Sequence, residues 1–189
     1  MKNAQTPILG FAAFSGTGKT TLLCKLIPLL KKSDLRVGLI KHSHHNFEID
    51  KPGKDSFKLR EAGASPVMLV SSHRRAIITE FNPTIEPDLD EQLKHFDQSE
   101  LELILVEGFK AENFPKIELY RPTLQKPLLF PHDPNIIAIA TDEEIELTPD
   151  NTQLSADKIA NITPPRSLDL NAPSQIVEFI LANCLGQNK

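Results

Sequence analysis

Short apolar runs alternate along the chain with stretches in which apolar residues recur at helical spacing. The runs at 8–14, 101–106 and 136–140 are apolar almost throughout, which is typical of strands that are buried on both faces. In 19–32 and 173–184, apolar residues return every three or four positions, which predicts amphipathic helices. This alternation predicts an α/β fold whose mostly parallel sheet is flanked by helices.

Weaker patterns predict the remaining elements. Two short apolar stretches, 67–70 and 76–79, flank a polar turn at 72–74, so we expect an antiparallel hairpin extension. Further strands are expected at 36–41 and 117–120, further helices at 54–62 and 87–96, and irregular, proline-rich segments at 121–135 and 146–172. From the length of 189 residues we expect one domain, spanning 1–189.

Composition and charge exclude several classes of function. Lysine and arginine number 21 and aspartate and glutamate 25, so the net charge is −4, and we expect no nucleic-acid partner. The first apolar run is shorter than the roughly 20 residues of a membrane span. It leads into a glycine-bearing loop instead of a signal cleavage site, so we expect a cytoplasmic protein without membrane attachment.

The most informative segment, 13–21, reads AFSGTGKTT and joins the first predicted strand to the first predicted helix. Gly16 and Gly18 would let the backbone curl, so that successive amides and the positive helix end face an anion. Lys19 would place its ammonium against the β- and γ-phosphate oxygens of a nucleotide, and the Thr20 hydroxyl suits Mg²⁺. The predicted phosphate-binding residues are Ser15, Gly16, Thr17, Gly18, Lys19, Thr20 and Thr21.

One position departs from the phosphate-loop (Walker A) pattern GxxxxGK[ST], which begins with glycine. The chain has Ala13 there, at the end of the predicted strand, where alanine is tolerated as long as its φ stays negative. The other fixed positions and their strand–loop–helix context are intact. The alternative interpretation is a glycine-rich turn that binds no ligand.

An acidic residue follows the apolar strand at 101–106. This end of a buried strand is where nucleotide hydrolases hold the water shell of their metal ion. Glu107 would reach Mg²⁺ through a water molecule, or would act as a catalytic residue that polarises a water, and the Gly108 amide would contact a γ-phosphate. The alternative is an ordinary solvated carboxylate at the end of a strand.

A third candidate, Thr141-Asp142, follows the strand at 136–140. A carboxylate accepts hydrogen bonds from N1–H and the 2-amino group of guanine, and adenine has no such pair of donors. Asp142 would therefore bind the base and favour GTP over ATP. The alternative is that the two residues form a common strand-to-loop exit.

The polar loop 41–56 leaves the second predicted strand at its carboxyl end, where ligands bind in open α/β sheets. Its histidines and an aspartate would ligate a transition metal, or its histidines and lysines would bind the nucleotide or a second anionic ligand, or the loop is solvated. We predict nucleotide contacts from Lys41 and His42, and a catalytic contact with water or Mg²⁺ from Asp50. The residues concerned are Lys41, His42, His44, His45, Asp50 and Lys54.

With these residues in place, the chain resembles the molybdopterin-guanine dinucleotide biosynthesis adapter family, the B proteins of that bacterial pathway. The runs KHSHH and KPGKDS are specific to that family, whereas the phosphate loop alone is not. The resemblance covers most of 7–142. The segments that carry it are 14–23, 38–45, 50–56 and 103–110.

The resemblance implies a GTP-binding, homodimeric accessory protein with at most slow GTPase activity. It would act beside the guanylyltransferase that joins GMP to molybdenum-bearing molybdopterin, and molybdopterin itself is a further candidate ligand. By matching position, the segment Ser15 to Thr21 would bind the GTP phosphates, and Thr20 and Glu107 would serve Mg²⁺. The histidine-rich loop would border the same pocket.

Two other functions remain open at the level of sequence. A small-molecule or nucleoside kinase of the phosphate-loop class needs an arginine-bearing lid over the phosphoryl group, for which Arg121 and Arg166 are candidates. A metal-delivery GTPase would use the cluster at 42–45.

Overall fold

The computed structural model describes residues 1–43 and 47–185. The chain divides into two compact units, of which the first comprises Met1–His42 with Asp88–Lys189 and the second comprises Ser43–Pro87. The single domain expected over 1–189 stays a prediction. No helix among the described residues is long and apolar enough to cross a membrane.

The elements largely follow the predicted pattern. In chain order, the strands are β1 (Ile8–Ala13), β2 (Val37–Lys41), β3 (Val67–Val70), β4 (Arg75–Ile78), β5 (Leu103–Glu107), β6 (Lys116–Tyr120), β7 (Ile136–Thr141) and β8 (Arg166–Asp169). The helices are α1 (Lys19–Lys32), α2 (Asp55–Glu61), α3 (Leu89–Leu93), α4 (Pro149–Thr152), α5 (Ala156–Ile159) and α6 (Pro173–Cys184). Short 3₁₀ turns occupy Pro122–Leu124 and Phe130–His132.

The first unit is built on a parallel sheet, which within the described residues has six strands in the order β2-β5-β1-β6-β7-β8. Adjacent strands pair in parallel throughout, so their carboxyl ends share one edge of the sheet. The loops that leave β1, β2, β5, β6 and β7 therefore begin at the same edge. This arrangement confirms the predicted mostly parallel α/β fold.

Helices cover the sheet because its central strands are apolar on both sides. Every residue of β1 is buried, and helices α1 and α6 pack with it on one face. Helix α1 presents its apolar stripe to that core, with Leu22, Leu23, Leu26 and Leu30 buried. Full burial of one such leucine stabilises the fold by about 2 kcal/mol. On the other face, Leu89 and Leu93 of α3 pack against Ile104 and Val106 of β5, with further apolar residues around them.

The segment 146–172, expected to be irregular, contains α4, α5 and β8. Strand β8 is hard to predict from sequence because it is a short edge strand in which Leu168 is the buried position. Helix α4 is a single turn fixed by a capping box between Thr148 and Asn151, a signal too short to form an apolar pattern. Helix α3 is shorter than the predicted 87–96. It begins after the Asp88 cap, and beyond Leu93 the backbone amides bond to carbonyls three residues back, so the chain continues as turns.

The second unit contains α2 and the antiparallel hairpin of β3 and β4. The hairpin is confirmed, and among the described residues it forms a two-stranded sheet of its own. Met68 pairs with Ile77, and Val70 pairs with Arg75. The turn is closed by the Ser71 amide, which donates to the Arg74 carbonyl at 2.9 Å.

Candidate functional site

The loop between β1 and α1 is curled at two glycines. The φ angle is +86° at Gly16 and +95° at Gly18, a region that side chains disfavour. A Cβ added at Gly16 would meet no atom within 4 Å, so open space lies against the loop. Helix α1 begins at Lys19, and the amides of a first helical turn have no partner within their helix. Together with the positive end of the helix dipole, they form a potential anion-binding site.

The side chains of this segment divide into supporting and accessible ones. Thr17 is buried, and its hydroxyl donates to the Phe14 carbonyl at 2.8 Å, so this side chain stabilises the loop from within. Ser15, Thr20 and Thr21 are at least partly exposed. The hydroxyls of Ser15, Thr20 and Thr21 are therefore accessible to a ligand, whereas the hydroxyl of Thr17, which the sequence also predicts to bind phosphate, is not.

Glu107 brings the loop and two neighbouring strands together. The parallel register pairs Lys41 of β2 with Glu107 of β5. One oxygen of this carboxylate, Oε1, lies 3.2 Å from the Lys19 ammonium and 3.5 Å from the Lys41 ammonium. The Glu107 side chain is 13% exposed, whereas that of Lys41 is 55% exposed. Two lysines that the sequence predicts to contact the nucleotide thus share one carboxylate, so this group of three side chains carries a net positive charge.

Gly108 lies tightly against His42. Its φ angle is +95°, and an added Cβ would lie 2.7 Å from the Cβ of His42. The His42 amide donates to the Glu107 carbonyl at 2.8 Å. The His42 ring stacks on Phe109, with 4.8 Å between the ring centroids. His42 and Gly108 therefore form one packed group beside Glu107.

Lys110 adds another cation, which the sequence motifs did not place at the site. Its ammonium lies over the Phe14 ring, 5.7 Å from the centroid. Burial, and secondly the charge of Lys19, lower the pKa of Lys110 below its usual value. A bound anion would favour the charged form of Lys110.

Asp142 is held by an arginine that also contacts the phosphate loop. The Arg121 guanidinium donates through Nε to the Thr17 carbonyl at 2.9 Å and pairs through Nη1 with Asp142 Oδ2. Asp142 Oδ1 is buried and has no hydrogen-bond partner among the described residues. Asp142 thus lies near the loop, as its position after β7 predicts, but its neighbour there is a guanidinium.

The two arginines considered for a kinase lid lie in different places. Arg121 directly follows β6, at the carboxyl edge of the sheet, as the first residue of the irregular segment predicted there. Arg166 is the first residue of β8, so it lies at the opposite, amino edge, and its guanidinium packs over the Phe179 ring. Arg166 is therefore a wrong candidate for a lid over this loop.

The predicted metal and catalytic residues of 43–56 belong to the second unit. Asp50 accepts a hydrogen bond from the Lys51 amide at 2.9 Å, and its other oxygen is buried without a partner among the described residues. Lys54 lies at the amino end of α2. His44 and His45 lie outside the described residues. Where the structure describes the chain, no three His, Cys, Asp or Glu residues are grouped to hold a metal ion.

Comparison with known sequences assigns the family. The family model "Molybdopterin guanine dinucleotide synthesis protein B" matches residues 8–142. The chain is 47% identical over 161 residues to the molybdopterin-guanine dinucleotide biosynthesis adapter protein of Haemophilus influenzae, covering 85% of this chain and 87% of that one. It is 49% identical over 142 residues to the protein of the same name from Escherichia coli, covering 75% and 81%. The chain belongs to the molybdopterin guanine dinucleotide synthesis protein B family.

Solved structures related to this family share the fold. The crystal structure of molybdopterin-guanine biosynthesis protein B superimposes with a TM-score of 0.66 at 24% identity, covering 93% of this chain and 98% of that one. The structure of Bacillus subtilis MobB gives a TM-score of 0.65 at 19% identity, covering 96% and 99%. The phosphate-loop NTPase-like fold predicted from the sequence is confirmed.

The match to the B family confirms the resemblance found in the sequence and spans the phosphate loop, Glu107 and Asp142. Two residues near the loop were not predicted from the sequence, namely Arg121 as a contact of the loop and Lys110. Both residues follow shortly after a strand at the carboxyl edge of the sheet. That position was the available signal, because every parallel strand of such a sheet delivers its next residues to the same edge.

Proposed function

We propose that this chain binds Mg²⁺-GTP at the loop between β1 and α1 and acts as an adapter in molybdopterin guanine dinucleotide synthesis. The observation that carries the proposal is the curled loop at Gly16 and Gly18, which leads into α1 beside the Lys19 ammonium. Backbone amides, a helix amino end and lysine side chains together suit the β- and γ-phosphates of a nucleotide. The adapter role is supported by the family to which the chain belongs.

Thr20 and Glu107 are the residues that would hold Mg²⁺. Thr20 lies in the first turn of α1, and Glu107 supplies a carboxylate at the end of β5. Oxygen donors of this kind are what Mg²⁺ prefers, and the bound ion would neutralise charge on the phosphates. Lys19 and Lys41 now occupy one oxygen of Glu107, so phosphate binding would draw these ammonium groups away from it.

Guanine is the base that the proposal favours. The relatives in Haemophilus influenzae and Escherichia coli are named for the biosynthesis of a guanine dinucleotide, to which a guanine nucleotide must contribute. Base recognition by Asp142 stays a prediction from the sequence, and it competes with the pairing of this residue with Arg121. Arg121 pairs with Asp142 Oδ2, so the buried oxygen Oδ1 is the one left to accept a hydrogen bond from a base.

An adapter role suits the charges of the site better than efficient catalysis does. Glu107 is the predicted catalytic carboxylate, and its Oε1 is paired with the ammonium groups of both Lys19 and Lys41. A carboxylate whose oxygen is engaged by two lysines is directed at them and not at a water molecule, which supports at most slow GTP hydrolysis. Asp50 stays the other predicted catalytic residue.

The proposed partners are the guanylyltransferase that attaches GMP to molybdopterin, molybdopterin itself and a second copy of this chain. A homodimer is supported by the hairpin, on one face of which Met68, Val70 and Ile77 are more than half exposed. The register places these three side chains on the same face. Exposed apolar clusters of this kind mark interaction surfaces.

A lysine substitution in the loop tests the nucleotide site. We expect Lys19→Ala to fold normally and to lose about 10- to 100-fold in affinity for Mg²⁺-GTP, because one charge-assisted phosphate contact is removed. Isothermal titration calorimetry measures this affinity. The matched control is Lys25→Ala, an exposed lysine of the same helix about 9 Å further along its axis. Equal affinities of the two variants would contradict the proposed site.

A further inference from the structure

Arg121 reaches the phosphate loop from the neighbouring strand. Strands β1 and β6 run in parallel with Ala13 opposite Leu119. Two residues beyond this pair the chain reaches Ser15 on one side and Arg121 on the other. Arg121 therefore emerges from the sheet beside the loop, although more than a hundred residues separate it from the loop in sequence.

The guanidinium of Arg121 lies against the peptide bond between Thr17 and Gly18. Its Nε donates to the Thr17 carbonyl at 2.9 Å. Its Nη2 lies 3.7 Å from the position that a Cβ on Gly18 would occupy. Thr17 is fixed from its other side by its hydroxyl, which donates to the Phe14 carbonyl. The Thr17–Gly18 peptide is thus held by Arg121 on one side and through the Thr17 side chain on the other.

The direction of this carbonyl sets the direction of the next amide. In a planar trans peptide, the C=O and the following N–H point in opposite directions. Because the Thr17 carbonyl points at Arg121, the Gly18 N–H points away from Arg121. This N–H is one of the amides that a phosphate loop directs at its ligand.

We propose that Arg121 is a positioning residue of the nucleotide site, which orients the Thr17–Gly18 peptide so that the Gly18 amide faces the phosphates, and that Asp142 holds Arg121 in place. The inference rests on the proposed nucleotide binding. Asp142 binds Nη1 through Oδ2, so the guanidinium is fixed by the loop on one side and by the end of β7 on the other. The fork of an arginine makes both contacts at once, which a lysine ammonium does not reproduce.

Holding Arg121 in place and recognising the base are two roles of Asp142 that predict different effects on the affinities for GTP and ATP. The pair of Arg121 and Asp142 carries no net charge, so its effect on a phosphate chain is geometric. Loss of either residue weakens every nucleotide whose phosphates bind the loop, by the same factor for GTP and ATP. A residue that reads guanine instead changes the ratio of the two affinities.

The test is a double-mutant cycle in nucleotide binding. Affinities for Mg²⁺-GTP and Mg²⁺-ATP are measured by calorimetry for wild type, Arg121→Gln, Arg121→Lys, Asp142→Asn and the double variant Arg121→Gln/Asp142→Asn. We expect Arg121→Gln and Asp142→Asn each to lower the affinity for both nucleotides about 10-fold. A loss of this size results if the loop of the variant adopts its binding conformation about a tenth of the time. The double variant loses no more than either single variant, since the two residues act as one unit. Arg121→Lys retains part of the affinity.

Arg36→Gln is the matched control, because Arg36 lies just before the amino end of β2 and pairs with Glu102 at 2.9 Å, at the edge of the sheet opposite the loop. Thermal melting of each variant shows whether a loss of affinity comes from a loss of folding. If Arg121→Gln is unstable, Asp142→Asn still tests the pair, because it removes the charge of the other partner. Three results overturn the inference: Arg121→Gln within twofold of wild type, losses that multiply in the double variant, or an Asp142→Asn loss confined to GTP. Wild-type protein that binds neither nucleotide overturns the proposed function as well.

Discussion

Glu107 is the residue on which the charges of the candidate site converge. It is mostly buried, and one of its oxygens forms ion pairs with both Lys19 and Lys41. Each of these pairs joins elements that are distant in sequence, because Lys19 begins α1 and Lys41 ends β2. The carboxylate therefore serves as a counter-ion for two lysines, and in the proposed site it would repel a phosphate chain until a cation is bound with it.

Replacement of the Glu107 carboxylate is expected to change how the affinity for GTP depends on Mg²⁺. We expect Glu107→Gln to bind GTP about 10-fold more tightly than wild type in EDTA, since a negative charge beside the phosphates is removed. The gain in affinity on adding Mg²⁺ is expected to shrink. Calorimetry in EDTA and in excess Mg²⁺ measures both effects, with Glu100→Gln at the opposite edge of the sheet as control. An unchanged Mg²⁺ dependence would exclude Glu107 from the metal site.

At the residue scale, the sequence predicts what is local. Lys19 and its glycines lie within one short motif, so their chemistry can be predicted before the fold is known. Arg121 and Lys110 are different, because their contacts with the loop depend on which strands are neighbours in the sheet. The pairing of Lys41 with Glu107 likewise follows from the strand order β2-β5-β1.

At the scale of elements, strand β6 is unusual in burying charged residues. Lys116 is 2% exposed and donates to Asp133 at 2.9 Å. Glu118 is 1% exposed and accepts from the amides of Leu129 and Phe130 at 2.7 and 2.9 Å. These two contacts attach the start of a 3₁₀ turn to the strand. Because the charged residues interrupt the apolar pattern, β6 is a weak prediction from sequence although it is central in the sheet.

Burial of Glu118 predicts a dependence of stability on pH. Desolvation raises the pKa of Glu118 to about 7, against the opposing effect of its two amide donors. The unfolded chain releases this proton near pH 4.5 and the folded chain near pH 7, so the folded state binds more protons in between. The free energy of unfolding therefore falls as pH rises through this window, by about 3 kcal/mol from this group.

Urea unfolding at several pH values measures this contribution. We expect the difference in unfolding free energy between wild type and Glu118→Gln to decrease by about 3 kcal/mol between pH 4.5 and 7.5, because the amide does not titrate. Glu178→Gln, on the exposed side of α6, serves as the control. A difference that stays constant over this range would show that Glu118 titrates normally in the folded protein.

At the scale of the whole molecule, the second unit leaves an apolar surface in solvent. Two-stranded hairpins are marginally stable on their own in water. The strands β3 and β4 nevertheless expose Met68 and Ile77, which face each other across the hairpin, and Val70 beside them. The alternation of apolar residues allows the hairpin to be predicted from sequence, whereas the partner of its exposed face does not follow from that pattern.

The proposed homodimer predicts a mass of twice 21.1 kDa in solution. We expect Met68→Lys to shift the protein toward the monomer, because a charge in an apolar contact must be desolvated. Sedimentation velocity at several concentrations measures the mass, with His73→Lys in the exposed turn as the matched charge control. A wild-type monomer at all concentrations would contradict the homodimer.

The central claim is that main-chain amides ahead of α1 bind the phosphates of a nucleotide. Amide resonances recorded during a titration with Mg²⁺-GTP test it most directly, because they report each peptide group separately. We predict the largest shifts at Gly16, Gly18, Lys19 and Thr20. Saturable binding that moves resonances elsewhere and leaves these four amides unchanged would contradict the account.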